Sequence, residues 1–425
     1  MMLAHVRRAP DTPEPAVHTA ALGRSSAGAV AAQATYALSS FVLQFAAARL
    51  LGLDGLGRYG ALYAFLVLTT AVSGGFVGDS LTVLDRQDRS IRAGLQISLI
   101  FIAAATSLTL GAVTWSIGFV SAATAASYAV ATAAFTVEDA LRRNLMAVFS
   151  FWRVVIVDVV GLVASVAVLV LMAAAADRVT LTHLMLALFA GQMCALAVAA
   201  GLLPVEERVL ASFKGADLRS VARFGTWRAL QQVVRPTLLA GVRILCLLTS
   251  SVAAVGALEA ARVYTAPAML VVGGINSYLF ASYARTKSAP LGGVLHRADR
   301  TVATLVAITA AVGIAAVAAL PILGPVLSGG DYDLSIVAVA SWSLFVASIA
   351  AVTPFGQLAS VRGNQRRVLS IRVADSVVTL IAVVIALALG LAVMWVPLIL
   401  AIGSIAGGMT IRIMVLAPAA GHANE

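Results

Sequence analysis

Charge is what this chain has least of: 11% of its 425 residues are Asp, Glu, Lys or Arg, against 61% hydrophobic ones. A water-soluble domain needs nearer a quarter charged to wet its surface, so a soluble globule is excluded. Disorder is excluded as well, because disordered chains are poor in apolar side chains. Lysine is almost missing, with only Lys214 and Lys287 among 29 basic residues. That arginine excess, like the abundant alanine, matches a GC-rich genome. Cysteine is limited to Cys194 and Cys246, both inside apolar runs, so they read as small buried hydrophobes and not as a disulfide. The histidines (His5, His18, His183, His296, His422) are scattered over tails and loops, so neither a metal centre nor a cofactor is expected.

Reaction motifs are lacking too. No G-x-x-x-x-G-K-[ST] loop occurs, which excludes ATP hydrolysis by that route. No G-x-S-x-G and no Cys/His pairing offers a nucleophile. Asp331 and Asp333 follow Gly329-Gly330 and read as a solvated hairpin, not a catalytic pair. An enzyme is not expected, and no nucleic-acid partner is implied. The first residues carry Arg7 and Arg8 and then Pro10, Pro13 and Pro15, a polar tail and not a cleavable leader.

What is there is apolar sequence, with a mean hydropathy of +0.98. A window of about 19 residues picks out helices able to cross a bilayer. Twelve spans result, near 27–50, 59–78, 95–116, 119–136, 154–176, 182–203, 225–250, 258–282, 303–327, 334–358, 371–393 and 395–416. The predicted fold is therefore an all-α, multi-pass membrane protein. Its parts are a polar tail (1–26), a six-helix bundle (27–203), a central loop (204–224), a second six-helix bundle (225–416) and a tail (417–425).

Arginine placement orients the chain. With the N terminus inside, the inner segments hold 22 basic residues, among them Arg86, Arg89, Arg92, Arg142, Arg143, Arg153, Arg366 and Arg367, while the outer loops hold Arg49, Arg58 and Arg178. Loops rich in Lys and Arg resist translocation, so both termini are expected in the cytoplasm of a bacterium, with the chain in the cytoplasmic membrane.

The two sets of six look related. Gly57 and Gly256 hold matching places after spans one and seven. Arg142, Arg143 and Arg153 precede span five as Arg366, Arg367 and Arg372 precede span eleven, and Asp158 and Asp375 follow at comparable depth. Repeated halves with a site between them are a feature of secondary transporters.

Charges within spans are costly, roughly 2.5–3.5 kcal/mol each at the bilayer centre, and each needs a reason. Span seven carries Arg228, Arg235 and Arg243. At about 100° per residue they share one face with Gln232. Pro236 adds a kink beside them. Two explanations compete: a water-filled cationic cavity, or internal pairing with Asp158, Asp375, Glu259 or Asp79. An arginine-lined cavity suits an anion, since a guanidinium matches phosphate geometry. Span one adds a polar stripe of Gln33, Tyr36, Ser40 and Gln44, with Arg49 at its outer end. Glu259 and Arg262 are spaced to pair with each other, and Asn276 and Tyr278 follow on the same span.

The stretch Ala48-Arg49-Leu50-Leu51-Gly52 through Gly57-Arg58-Tyr59-Gly60 resembles the first exit turn of polysaccharide-type lipid flippases. These belong to the multidrug/oligosaccharidyl-lipid/polysaccharide superfamily. The arginine-rich approach to span five and Gly356-Gln357-Leu358-Ala359-Ser360-Val361-Arg362-Gly363 are similar to that family too. The resemblance implies two bundles arranged as a V around a central cavity, and alternating access. It also implies flipping of a polyprenyl-pyrophosphate-linked oligosaccharide for surface or extracellular polysaccharide, alongside glycosyltransferases and a polymerase. Arg235, Arg228, Arg243, Gln232, Arg49, Gln33, Tyr36 and Gln44 would then contact substrate, and Asp158 and Asp375 are candidates for coupling. Both carboxylates lie near inner arginines, so pairing is the plainer expectation for them. The alternatives are a drug/cation antiporter of the same superfamily, which would need a carboxylate in its cavity, and an unrelated twelve-helix transporter. Reporter fusions after Gly118, Gly330 and Glu425 should read outside, outside and inside; an inside signal at Gly330 contradicts the topology.

Overall fold

The computed structural model describes residues 16–85, 87–208, 215–285, 290–362 and 365–421, and its regular elements are all helical. Twelve long helices follow in order: α1 (Ala16–Leu50), α2 (Gly52–Ser73), α3 (Arg89–Ser116), α4 (Ala122–Ala147), α5 (Phe151–Ala175), α6 (Leu181–Leu202), α7 (Leu218–Thr249), α8 (Val252–Arg285), α9 (Leu291–Ser328), α10 (Ile336–Arg362), α11 (Gln365–Ala388) and α12 (Val396–Ile411). Each predicted span has its helix. α2 continues through a π-helical turn, Gly74–Gly78, into Asp79–Val83, and α12 through another, Arg412–Leu416.

Ten of the helices are long and apolar enough to cross a membrane. α4 falls outside that set, its apolar run ended by the buried charges Glu138, Asp139 and Arg142. α1 starts at Ala16, eleven residues before the expected edge, and α7 at Leu218, seven before. Hydropathy does not register these polar, alanine-containing lead-ins, although nothing in them breaks a helix. Asp217 caps α7 by accepting from the Ser220 amide at 3.0 Å, as Asp88 caps α3 through Ser90. Those serine hydrogen bonds hold both carboxyls below the usual carboxylate range. Of the expected tails and loops, 1–15, 209–214, 286–289, 363–364 and 422–425 lie outside the described residues.

The same pairings build both halves. α1 packs on α5, α3 on α4, and α6 on both α4 and α5; α7 packs on α11, α9 on α10, and α12 on both α10 and α11. The repeat proposed from Gly57, Gly256 and the paired arginine stretches is therefore present in three dimensions.

The halves meet along α1 and α8 and at both ends of the bundle. At the end where the even-numbered helices begin, α2 and α8 cross at their glycines: a Cβ on Gly256 would fall 1.9 Å from the Leu53 carbonyl, and one on Gly57 2.2 Å from that of Val252. Only glycine permits this approach. Leu56, Tyr59 and Leu62 close on Ala260 and Val263 beside it. At the opposite end, called here the basic face because Arg89, Arg92, Arg219 and Arg223 lie there, the start of α7 docks on the N-terminal half. Val221 is buried with Val77 and Leu95, and the Asp217 amide donates to the Ser90 carbonyl at 3.0 Å. The boundary expected at residue 225 thus falls inside a helix whose first turns pack on one half and whose remainder packs on the other.

Candidate functional site

A cavity of about 790 Å³ opens among the helices. Both halves contribute to its wall, the second half more. α7, α8, α10, α11 and α12 line it, and α1 is the one contributor from the N-terminal half. The repeat-related helices α1, α2, α4, α5 and α6 enclose only about 50 Å³. Side chains account for the difference. Leu43, Phe135 and Leu188 fill the N-terminal counterpart, and Arg142 crosses it to bond Asp158.

The arginines of α7 separate into different fates. Arg228 does not line the cavity; its guanidinium lies 2.6 Å from Asp79, which also accepts from Gln232 at 3.0 Å. This pair joins the two halves near the basic face. Arg243 lines the cavity but is held by Glu259 at 2.6 Å. The other oxygen of Glu259 takes Arg262 at 2.5 Å, so the expected Glu259–Arg262 pair exists and is shared. Arg262 then donates to Gln44 at 2.6 Å, Gln44 to Ser40 at 2.7 Å, and Ser40 meets the Tyr63 hydroxyl at 2.5 Å. One continuous polar chain therefore crosses from α7 to α2. Of the helix-seven stripe, Gln232, Arg235 and Arg243 line the cavity, Arg243 with its charge met by Glu259, and Arg228 turns away to Asp79.

Arg235 is the exception. It is exposed, its exposure is to the cavity, and its guanidinium sits 5.8 Å over the Phe345 ring. Phe345 is fixed edge-on to Trp342, whose indole nitrogen donates to the Leu258 carbonyl at 3.0 Å. The charges that act on Arg235 come from α11: Arg372, also exposed to the cavity, and Asp375. Among the described residues, Arg235, Arg372 and Asp375 make no side-chain hydrogen bond or ion pair. Arg372 had been read only as a loop base. The signal that identifies it is Arg372, Asp375, Ser376 and Thr379, a polar stripe on one face of α11 like the one read on span one.

The remaining candidates scatter. Tyr36 lines both openings beneath the Arg142 guanidinium, 4.4 Å from its ring. Gln33 is exposed and lines neither. Arg49 does not line the cavity and lies against the Gly329 turn between α9 and α10. Asp158 accepts two bonds from Arg142, at 2.9 and 3.2 Å, whereas Asp375, expected to pair likewise, does not. Asp331 and Asp333 are exposed at the turn after Gly329 and Gly330, which have positive φ. The side chains of Asn276 and Tyr278 lie outside the described residues. No group of three His, Cys, Asp or Glu converges among the described residues.

Comparison with known proteins agrees with this architecture. No family model and no curated protein matches the sequence. Among solved structures, a multidrug resistance MATE family transporter of the MOP superfamily in its inward-facing conformation superposes with a TM-score of 0.71 at 14% identity, over 90% of this chain and 94% of that one. The outward-facing form of such a transporter gives 0.62 at 13%, over 92% and 95%. A MOP superfamily transporter from Pyrococcus furiosus, described by a reversed polarity of its binding pocket that suggests a different function, gives 0.64 at 12%, over 95% and 96%.

Arg142→Ala strands the buried Asp158 carboxylate and should cost about 3–5 kcal/mol, read as a lower melting temperature of the purified protein. Arg142→Met with Asp158→Leu should recover most of that loss; failure to recover would assign the pair a role beyond holding the fold. The chain has the two-halved fold of MATE transporters, with a cation-bearing cavity in its second half.

Proposed function

We propose that the protein is a secondary transporter of the cytoplasmic membrane that moves an anionic, lipid-linked saccharide across the bilayer by alternating access. Its substrate class is a polyprenyl-pyrophosphate-linked oligosaccharide destined for surface or extracellular polysaccharide. One observation carries this reading: two arginines, Arg235 and Arg372, face a cavity without a hydrogen-bond or ion-pair partner among the described residues. An unneutralised guanidinium is expensive in a membrane interior unless water or a counter-ion reaches it. A guanidinium also matches phosphate oxygens in shape as well as charge.

The cavity size fits the part of the substrate that matters. Ligand sites run from roughly 300 to 1,000 Å³, so about 790 Å³ accommodates a diphosphate and its first sugar. Leu238, Leu239, Met269 and Val346 give the wall an apolar surface beside the charges. Alternating access has a physical basis in the contacts between halves at opposite ends, the Gly57–Gly256 crossing and the Asp79–Arg228 bridge, which open in turn. Glycosyltransferases that make the substrate and a polymerase that uses it are the expected partners.

A second reading, a drug or cation antiporter, is favoured by Asp375, because a cavity carboxylate is what a cationic substrate requires. The structural neighbours include multidrug transporters. Two accessible arginines against one carboxylate weigh the site towards an anion.

Arg235→Ala should abolish surface-glycan display in a strain lacking its own copy of the gene, with membrane abundance unchanged. Arg235→Lys, which keeps charge but loses the fork, should retain part of it. Full display by Arg235→Ala contradicts the anion reading. Loss of abundance instead would make Arg235 part of the fold.

A further inference from the structure

We propose that Asp375, Ser376, Thr379 and Ser404 form a sugar subsite next to the two cavity arginines, and that the first sugar it takes is uncharged. This rests on the anion reading of the cavity and names the saccharide class that goes with it.

The subsite is marked by polar groups left unused. Hydroxyls on neighbouring turns are spent on their own backbone: Thr353 on α10 and Thr410 on α12 each donate to the carbonyl one turn earlier, at 2.7 and 2.8 Å. Ser376 and Thr379 on α11 and Ser404 on α12 do not, and among the described residues their side chains make no hydrogen bond. Asp375 makes none either. All four line the cavity.

Two glycines of α12 seat this group. A Cβ on Gly407 would lie 2.6 Å from the Asp375 carboxyl, and one on Gly403 3.0 Å from the Thr379 methyl. The glycines are one turn apart, as are the two side chains, so α12 is cut away along the line that Asp375 and Thr379 occupy. A larger residue at either place would push them out. Arg372 lies one turn before Asp375, with its guanidinium turned to α10, 3.3 Å from the Cβ position of Gly356. The carboxylate therefore stays available beside the arginines.

The chemistry of the group selects its ligand. A carboxylate only accepts hydrogen bonds, whereas a hydroxyl both donates and accepts. One carboxylate among three hydroxyls complements a polyol, whose own hydroxyls donate to Asp375 and exchange bonds with the serines and the threonine. Val352 and Leu400, on the same lining, offer apolar surface to the C–H face of a sugar ring. A diester of diphosphate carries two negative charges, which Arg235 and Arg372 match. A third, on an acidic sugar, would face Asp375 and be repelled, more strongly where water is sparse. The one carboxylate thus attracts a neutral sugar and rejects a uronic acid.

The test is calorimetric binding to the full-length protein in detergent, in choline chloride without sodium, of three esters of farnesyl diphosphate: methyl, glucosyl and glucuronosyl. They share lipid and diphosphate, so their ratios isolate the sugar. Wild type should bind the glucosyl ester about 10- to 150-fold more tightly than the methyl ester, the range of a hydrogen bond to a charged acceptor. It should bind the glucuronosyl ester at least about 10-fold more weakly than the glucosyl one. Asp375→Asn should bring the glucosyl and glucuronosyl esters level, and Asp375→Ala should lower the glucosyl ester to the methyl one. Ser404→Ala, a milder change that serves where an Asp375 variant fails to fold, should reduce the glucosyl preference about 2- to 10-fold. Equal binding of all three by wild type, or a glucosyl preference untouched in the folded variants, overturns the sugar subsite while leaving the anion site standing. No binding of the methyl ester by folded wild type overturns both.

Discussion

Everything in this fold follows from one constraint: a charge placed among apolar helices must be paired, wetted or absent. The chain meets it in two ways. Arg142 with Asp158, Arg143 with Asp139, Arg228 with Asp79, and Arg243 and Arg262 around Glu259 are paired within the protein. The pairs between helices, Arg142–Asp158, Arg228–Asp79 and Arg243–Glu259, hold those helices in fixed relation, although each gains little over an apolar contact and costs much when half is removed. Arg235, Arg372 and Asp375 take the other route and face a cavity. The separation of these two sets is what marks a site in a molecule without a catalytic motif.

The repeat shows how one architecture acquires two uses. Helices of the same order pack in the same way in both halves. In the first half, apolar side chains and a bidentate Arg142–Asp158 pair close the interior. In the second, Asp375 makes no hydrogen bond or ion pair among the described residues, and the interior stays open. The open half still communicates with the closed one, because the chain from Glu259 through Arg262, Gln44 and Ser40 ends at Tyr63.

Composition and arginine spacing were enough for the membrane class, the twelve helices and the two halves, since hydropathy and loop charge act locally along the chain. Pairing is not local. Glu259 and Arg262 were legible because they lie one turn apart, and Arg235 because it stood deep in its span. Arg228 was misread as a cavity residue because its partner, Asp79, lies 149 positions away on another helix. Arg49 and Gln33 were included for their type and helix face, but tertiary packing turns them elsewhere. Arg372 was overlooked because an arginine near a helix start looks like a positive flank. The polar stripe continuing through Asp375, Ser376 and Thr379 is what separates it from one.

The central claim, that the second half encloses a wetted anion site, is tested most directly at Ser376, which lines the cavity beside Arg372 and Asp375. In a Cys194→Ala, Cys246→Ala background, Ser376→Cys is exposed in native membranes to an anionic thiol reagent, with and without farnesyl diphosphate. The account predicts rapid modification that the diphosphate slows in a saturable way. An inert thiol, or modification that the diphosphate leaves unchanged, would contradict it.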